Sequence, residues 1–591
     1  MTFHQVLRGV LIAFVLVYGQ GCRRNKTPPA TPTKKKEASE RKKNSAPPPS
    51  AASVASENTH SAPPPDSSVR FIDATDASGI RFAYSNGRSA QEFAILESLG
   101  GGVGLFDIDL DGNLDVMFAG GGNLDDKQVT SRPCALFRNL GNWRFEDTTV
   151  SAGAQADTFF THGVYPGDFD GDGFDDLAVS GYGGVQLLRN AGDGTYIEAG
   201  NLGTETPNNW SSSLAWCDIN CDGLLDLYVT NYVDWSWQKH PFCPGKGDAK
   251  QEVCAPSQFS GMKDILYLNS GEELVRDSSS ILPIQDGGKG LGVIILDLNQ
   301  DGRDDVYVAN DTVDNFLYLS NDDGWEESAI IAGVSGDDRG IGNGSMGIAT
   351  LDADGNALPD LFVSNFEREL SAMYRNEGDG LFSYVSRAAG FASYEAGFVG
   401  FGTVPIDLDF DGDQDLAVAN GHVSYASPHA PYRQLPLLFE NVVGKFHRVT
   451  DSGYFSEAHT GRGLATGDLD NDGAEDLVFS NLEESSRVVR ATQRPPNYRR
   501  IQLVGTKSNR PAFGAKLSIS LKDKTLTRFV YGGGSYLSSS DRRITFAVPA
   551  EFEGAVTVAW PRSPPESFTL EQQLEWVLVE GSGTPVSPPV E

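Results

Sequence analysis

Histidine and methionine are scarce, at 8 and 5 in 591 residues. So few imidazoles leave little material for general acid–base chemistry. There is no G-x-S-x-G, no H-E-x-x-H and no Walker loop, which removes the common hydrolase, metalloprotease and NTPase signatures. The six cysteines form no C-x-x-C pair, which argues against zinc. No apolar run approaches the roughly 20 residues a membrane-spanning helix needs, so a transporter or receptor built on such helices is excluded. Positive charge is also short: 47 Lys and Arg face 80 Asp and Glu, a net of −33. Residues 1–70 hold 11 basic and 4 acidic side chains, or +7, so the remaining 36 and 76 give −40. A body that acidic is a poor partner for nucleic acid or anionic lipid. Glycine is plentiful, at 66, and hydrophobic residues make up 39%. That balance fits a packed protein of many tight turns, long enough for about two to four domains.

The first 22 residues read as an export signal: Arg8, the apolar run Val10 to Tyr18, then small residues up to Cys22. Cys22 after Gly21 resembles the lipid-attachment site of a bacterial lipobox, although Gly19 stands where that pattern prefers Leu; the alternative is a plain cleaved signal peptide. Residues 23–69 are rich in Pro, Ser, Ala and Lys and are expected to form a disordered tether.

One motif then occurs seven times: D-x-[DN]-x-[DN]-[GA]-x-x-D, with starts separated by 61, 50, 79, 55, 55 and 61 residues. The first copy is Asp107, Asp109, Asp111 and Asp115; the second Asp168, Asp170, Asp172 and Asp176; the third Asp218, Asn220, Asp222 and Asp226. The fourth is Asp297, Asn299, Asp301 and Asp305; the fifth Asp352, Asp354, Asn356 and Asp360. The sixth is Asp407, Asp409, Asp411 and Asp415; the seventh Asp468, Asp470, Asp472 and Asp476. Repetition on this scale signals one supersecondary unit per repeat.

Hard cations such as Ca²⁺ take six to eight oxygens, and carboxylates at positions 1, 3, 5 and 9 of a tight loop supply them. Turn formation alone needs one or two such residues per loop, not 25 Asp and 3 Asn at fixed spacing. Up to seven calcium ions are therefore expected. The sites should be unequal. The fifth alone replaces position 5 by an amide, Asn356, and the turn glycine at position 6 by Ala357, and is expected to bind weakest. The helix-flanked calcium loop of an EF-hand needs Glu at position 12, where this chain has Phe118, Val179, Val229, Val308, Val363, Val418 and Phe479. Apolar residues at positions 10 and 12 point to a strand after the loop.

Before each loop runs a Gly-rich apolar strand, such as 102–106. A third strand ends in Arg138-Asn139, Arg189-Asn190, Leu268-Asn269 or Arg375-Asn376, and an aromatic opens a fourth. Four strands repeated seven times predict an all-β, seven-bladed β-propeller over residues 70–494. The seventh repeat lacks its outer strand, while an orphan copy, Phe71-Ile72-Asp73-Ala74-Thr75, sits at the front; residues 70–76 are predicted to complete the last blade and close the ring.

These loops and flanks resemble FG-GAP/VCBS repeats, known from integrin α-chain propellers. Residues 495–585 are expected to form a small β domain. Within them, Ser508-Asn509-Arg510, Gly514-Ala515, Gly532-Gly533-Gly534-Ser535-Tyr536, Ser540-Asp541-Arg542 and Trp560-Pro561 are similar to the ASPIC/UnbV domain. The combination resembles the cartilage acidic protein family. The resemblance implies calcium and a setting outside the cytoplasm: an outer-membrane or cell-surface lipoprotein, otherwise a secreted or periplasmic one.

Partner sites are sought on the face away from calcium, where two long connections carry aromatics. Residues 232–262 hold Tyr232, Trp235, Trp237 and Phe242; residues 421–436 hold His422, Tyr425, His429 and Tyr432. These either recognise an extracellular protein or glycan or pack the insertions onto the sheets. Cys243 and Cys254 are expected to pair after export; Cys217 and Cys221 form a tight disulfide or two free thiols. No catalytic residues are assigned. The function indicated is extracytoplasmic binding, adhesion or scaffolding, with membrane contact only through a lipid anchor. The alternative is a calcium-dependent polysaccharide lyase or other carbohydrate-active enzyme, signalled by Arg, Lys, Tyr or His converging at the propeller mouth.

Overall fold

The computed structural model describes residues 70–586, apart from 207, 246–248, 394–396 and 452. The export signal, the tether and Cys22 lie outside the described residues. Seven antiparallel sheets of four strands follow one another along the chain. Each second strand opens on the ninth residue of an acidic loop: Asp115–Phe118, Asp176–Tyr182, Asp226–Asn231, Asp305–Asn310, Asp360–Val363, Asp415–Asn420 and Asp476–Asn481. These strands are buried along their whole length. A sheet flanked by two others buries both faces, so its central strands read as continuous apolar runs. The first strand of every sheet packs against the first strand of the next, and that of the seventh against that of the first, so the ring is closed.

The closure is the one the sequence predicts. Phe71–Asp73 is the outer strand of the seventh sheet, antiparallel to Arg487–Ala491 with Phe71 opposite Ala491 and Asp73 opposite Val489. Phe71 is 2% exposed, and burying such a ring stabilises by roughly 1.5–3 kcal/mol. Because the strands alternate, the acidic loops lie at one face of the ring and the connections between second and third strands at the other.

The C-terminal residues are expected to form a small β domain. They do form two small sheets. One joins Tyr498–Val504 to Ile544–Ala547 and, in parallel, to Glu575–Val579; the other joins Lys516–Ser520, Thr525–Phe529, Gly554–Ala559 and Glu566–Leu570. Yet Leu517, Phe546, Val556 and Trp560 share one apolar cluster with Tyr165, Trp216 and Leu227 of the second and third sheets. The described residues form one compact unit.

Segment 532–541 threads the middle of the ring. Gly532–Gly533 pairs with Ile294–Ile295 of the fourth sheet. Ser535 Oγ donates to Leu464 O (2.6 Å) and accepts from Thr403 N (3.3 Å). Ser538 Oγ accepts from Val103 N (3.1 Å), and Ser540 Oγ from Thr466 N (3.1 Å). The inner strands of a propeller are sheet edges with unmet backbone groups. Small hydroxyl side chains meet them here without filling the channel. A Cβ at Gly532 would lie 1.8 Å from Trp216 O, which explains that glycine. Tyr536 is fully buried at the axis, donates to Leu99 O (3.1 Å) and stacks edge-on against Phe401 at 5.0 Å. Beyond it Arg462, also fully buried, donates to the carbonyls of Ser98, Gly421, Gly461 and His422 at 2.8–3.3 Å.

Truncation of Tyr536 should therefore be felt by the whole ring. Tyr536→Ala is expected to remove about 3–5 kcal/mol from global stability, the range for large aromatic-to-alanine changes in cores. Urea unfolding followed by tryptophan fluorescence reads this, and a midpoint equal to that of the parent protein would show that the axial segment does not brace the ring.

Candidate metal centres

The seven acidic loops share one internal hydrogen-bond pattern. The position-1 carboxylate accepts the position-6 N–H at 2.7–3.1 Å in every copy, from Gly112 to Gly473. The position-5 side chain accepts the position-7 N–H at 2.8–3.0 Å. The position-9 carboxylate uses both oxygens: one accepts from position 2 at 2.7–3.1 Å. The other accepts at 2.6–2.8 Å from the backbone of the third strand.

Position 6 has positive φ in all seven loops, as its glycines suggest, and Ala357 is held at φ 65°. Position 4 is left-handed as well, in Leu110, Gly171, Cys221, Gln300, Gly355, Phe410 and Asn471, although only two of the seven are glycine. The sequence gives little sign of that second turn.

Positions 1, 3 and 9 converge. In Asp107/Asp109/Asp115, Asp168/Asp170/Asp176, Asp407/Asp409/Asp415 and Asp468/Asp470/Asp476 one oxygen from each residue lies within 4.8 Å of the others. With metal–oxygen distances of about 2.3–2.6 Å, such trios fit around one Ca²⁺. Position 5 stands outside them, as a turn former. The third and fourth loops carry Asn220 and Asn299 at position 3. The fifth has the same three aspartates as the four trios, yet Asp352, Asp354 and Asp360 are not gathered in this way. Asp109, Asp168, Asp352, Asp407 and Asp470 each keep a buried carboxylate oxygen with no hydrogen-bond partner. An orphaned buried oxygen in an acidic loop is what a cation would satisfy.

Burial first, and neighbouring carboxylates second, drive the acids upward. Asp107, Asp168 and Asp352 are pushed to about 6, Asp226 and Asp407 to about 7, and Asp176, Asp305, Asp360 and Asp415 to about 8.

Two features escape a reading based on the loops alone. The first is a set of arginines. On third strands, Arg189 approaches Asp170 at 3.7 Å, Arg375 approaches Asp354 at 4.0 Å and Arg490 approaches Asp470 at 2.6 Å, with Arg138 on Asp109. From the C-terminal sheets Arg510, Arg562, Arg528 and Arg500 reach the position-1 acids Asp168 (3.4 Å), Asp218 (3.5 Å), Asp407 (4.0 Å) and Asp468 (2.7 Å). The second is the asparagine that ends the third strand. Asn139, Asn190, Asn269, Asn376 and Asn441 each donate to the position-8 carbonyl of their own loop and to the position-2 carbonyl of the preceding one, at 2.7–3.2 Å. They stitch neighbouring sheets together. Ser320 and Ala491 replace them in the fourth and seventh sheets. The recurring Asn was visible in the sequence but marked only a strand end.

The cysteines resolve simply. Cys243 and Cys254 are bonded, Cys134 and Cys217 are buried free thiols, and Cys221 is free and exposed.

Raised carboxylates fix the sign of a pH effect. Above their unfolded value of 3.8 and below the folded values, the native protein binds more protons than the unfolded chain. Their stabilising contribution is complete below 3.8 and is lost as pH rises through about 6–8. Metal-stripped protein is thus expected to lose stability as pH rises through about 6–8. His162, held down to about 4 by burial, opposes the trend only below its ordinary value of 6.5, where the unfolded chain is the more protonated. Metal needs ionised ligands, so metal-saturated protein should hold or gain stability over the same interval. Parallel melting curves of the two forms would contradict this.

The fifth loop combines an amide at position 5, a strained Ala357 and an ungathered trio, and should fill last when metal is limiting. Ala357→Gly should relieve strain on the order of 1 kcal/mol. Anomalous scattering from crystals grown at sub-stoichiometric calcium reads the occupancies. A well-occupied fifth loop beside empty all-aspartate loops would reverse the ranking.

Comparison with known proteins agrees with this architecture. The FG-GAP-like repeat family matches residues 107–179, 168–229 and 297–363, and the ASPIC and UnbV family matches residues 505–580. Cartilage acidic protein 1 of Xenopus tropicalis is 24% identical over 481 residues, covering 78% of this chain and 70% of that protein. The Homo sapiens protein is 22% identical over 487 residues, covering 78% and 68%. Among solved structures, an Agrocybe aegerita lectin described as recognising non-reducing terminal N-acetylglucosamine is 16% identical, covers 66% of this chain and 89% of its own, and has a TM-score of 0.37. Acidic repeats closing into a ring, a C-terminal ASPIC and UnbV segment and homology running through both make this chain similar to the cartilage acidic proteins.

Proposed function

We propose that the protein is an exported, calcium-binding β-propeller that acts as a binding or scaffold protein outside the cytoplasm. In this reading residues 1–22 direct export, Cys22 carries a lipid anchor and residues 23–69 form the tether. Residues 70–494 form the calcium-bound ring, with 495–585 docked on it, and the partner is an extracellular protein or glycan.

The observation that carries the reading is the convergence of three aspartates in four loops with buried oxygens left unmet. Charge gives the reason for the metal. Seven Ca²⁺ would add +14 to a body of −40, leaving −26. The arginines around the loops supply part of the countercharge, but Arg189, Arg375 and Arg510 are half exposed and screened by water. Export agrees with the bonded Cys243 and Cys254. Among the described residues no helix is long and apolar enough to cross a membrane.

The far face does gather Arg88, Tyr425 and Tyr432, with His422 on the same connection, a set of residue types a sugar lyase would show. Their state favours recognition over proton transfer. Burial pushes the Tyr432 phenol up to about 12 and raises that of Tyr425 further, while it lowers His422. A general base works best with a pKa near the operating pH. Of the aromatics on the 232–262 connection, Tyr232 and Trp235 are buried in packing, and Phe242 alone is largely exposed at 70%.

Metal that binds only the folded state stabilises by mass action, by about 2.7 kcal/mol per site at a hundredfold excess over Kd. Chelation by EDTA should therefore lower the melting temperature sharply, and calcium should restore it. An unchanged melting curve would sink the calcium reading.

A further inference from the structure

A cavity of about 590 Å³ opens on the face away from the metal loops, lined among others by Tyr84, Asn86, Arg88, Phe93, Glu97 and Glu483. We propose that this cavity is a carbohydrate site that takes a neutral, hydroxyl-rich sugar. The proposal rests on the binding-protein reading above and gives that reading a place and a ligand class.

The floor of the cavity holds Glu97, 1% exposed. One of its oxygens accepts Ala94 N–H at 2.9 Å; the other, Oε2, is buried and has no hydrogen-bond partner. A buried oxygen left unmet is costly, and a ligand hydroxyl would satisfy it. Burial pushes this carboxyl up to about 7, so near neutrality it can both accept and donate, as a sugar hydroxyl can.

The wall is preorganised. The Arg88 guanidinium lies 3.4 Å from the ring centre of Tyr425 and 5.5 Å from that of Tyr432, and is held by Glu483. Tyr432 Oη donates to the same Glu483 at 3.0 Å. Asn86 accepts from Arg88 N at 3.2 Å and donates to Glu97 O at 3.0 Å, tying wall to floor. Gln91 and Phe93, both on the lining, have φ of 57° and 55°, a strained backbone kept in place by its surroundings. Phe93 adds a half-buried aromatic surface against which the C–H face of a sugar ring can lie.

Charge selects the ligand class. An anion would meet Glu97 and Glu483, and a cation would meet Arg88 fixed at the same wall. A neutral molecule with many donors and acceptors meets neither penalty. The volume falls within the roughly 300–1,000 Å³ of small-molecule sites, room for a short oligosaccharide.

The test is saturation-transfer NMR and calorimetry on the calcium-saturated, full-length ectodomain. The probes are cellotriose, maltotriose, chitotriose, xylotriose and mannotriose, with trigalacturonate and spermidine as charged controls. At least one neutral trisaccharide should bind, and the charged probes should not. Phe93→Ala and Glu97→Leu should weaken that binding roughly tenfold or more, about 1.4 kcal/mol. Glu97→Gln, which keeps a donor and an acceptor, should stay within a fewfold of the parent protein. Phe93 is only half-buried, so Phe93→Ala keeps the test valid if Glu97→Leu does not fold. Absence of binding by every neutral probe, binding of charged probes alone, or full binding by Phe93→Ala overturns the site. The EDTA melting shift is measured on the same samples: a shift without sugar binding removes the site and leaves the calcium propeller standing. Sugar binding without a shift does the reverse.

Discussion

Each second strand begins with an aspartate whose two carboxylate oxygens are both taken by backbone N–H groups, one from its own loop and one from the third strand. That single side chain fixes where the loop ends, where the strand starts and how the third strand is registered against it. A buried carboxylate is tolerated only when its oxygens are engaged, because desolvation otherwise expels it or protonates it. Repeated seven times, the same pin sets the rim of the ring. The asparagine beside it on the third strand then carries the order sideways, from one sheet to the next.

The same arrangement creates the main electrostatic strain in the molecule. Once the ninth aspartate is fixed, those at positions 1 and 3 are drawn towards it, and negative charge accumulates along one face. The chain answers in two ways. Third-strand arginines neutralise position 3 in four of the sheets, and arginines of the C-terminal sheets approach position 1 of four loops. Arg500 and Asp468 are almost fully buried, so their attraction is little screened and removing either partner would strand the other. A divalent ion supplies what side chains cannot: two charges at one point, with oxygens as its only neighbours.

Much of this was legible in the sequence because it is local. A loop ligand set lies within nine residues, and the strands that flank it follow from the alternation of apolar positions. Even the ring closure could be read, since Phe71-Ile72-Asp73 is a copy of a motif whose absence elsewhere was evident. What stayed hidden depends on long-range geometry. Position 4 is left-handed with Leu, Cys, Gln, Phe or Asn in place, so composition carries no sign of it. The glycine-serine run at 532–540 looked like a family signature with no evident use. Its contacts, such as Val103 with Ser538 across 435 residues, are made by backbone groups and hydroxyls that leave no apolar pattern. The cavity around Glu97 was missed for the same reason: residues 84–97 and the distant Glu483 build it, and only Tyr425 and Tyr432 beside it were singled out.

The axial segment also fixes the order of assembly. Synthesis delivers the chain from its N-terminus, and the residues that fill the ring, 532–541, come after all seven sheets. Until they arrive, seven inner strands present their edges to an open channel, and the first strand waits for a partner some 420 residues away. Contacts of that separation form slowly, and exposed sheet edges invite pairing with other chains. The ring must therefore be kept apart from its neighbours during that interval. A chain broken anywhere before residue 532 would remain a half-zipped structure with its adhesive edges exposed, a natural substrate for quality-control proteases. In this architecture the axial segment serves as the certificate that the ring has closed.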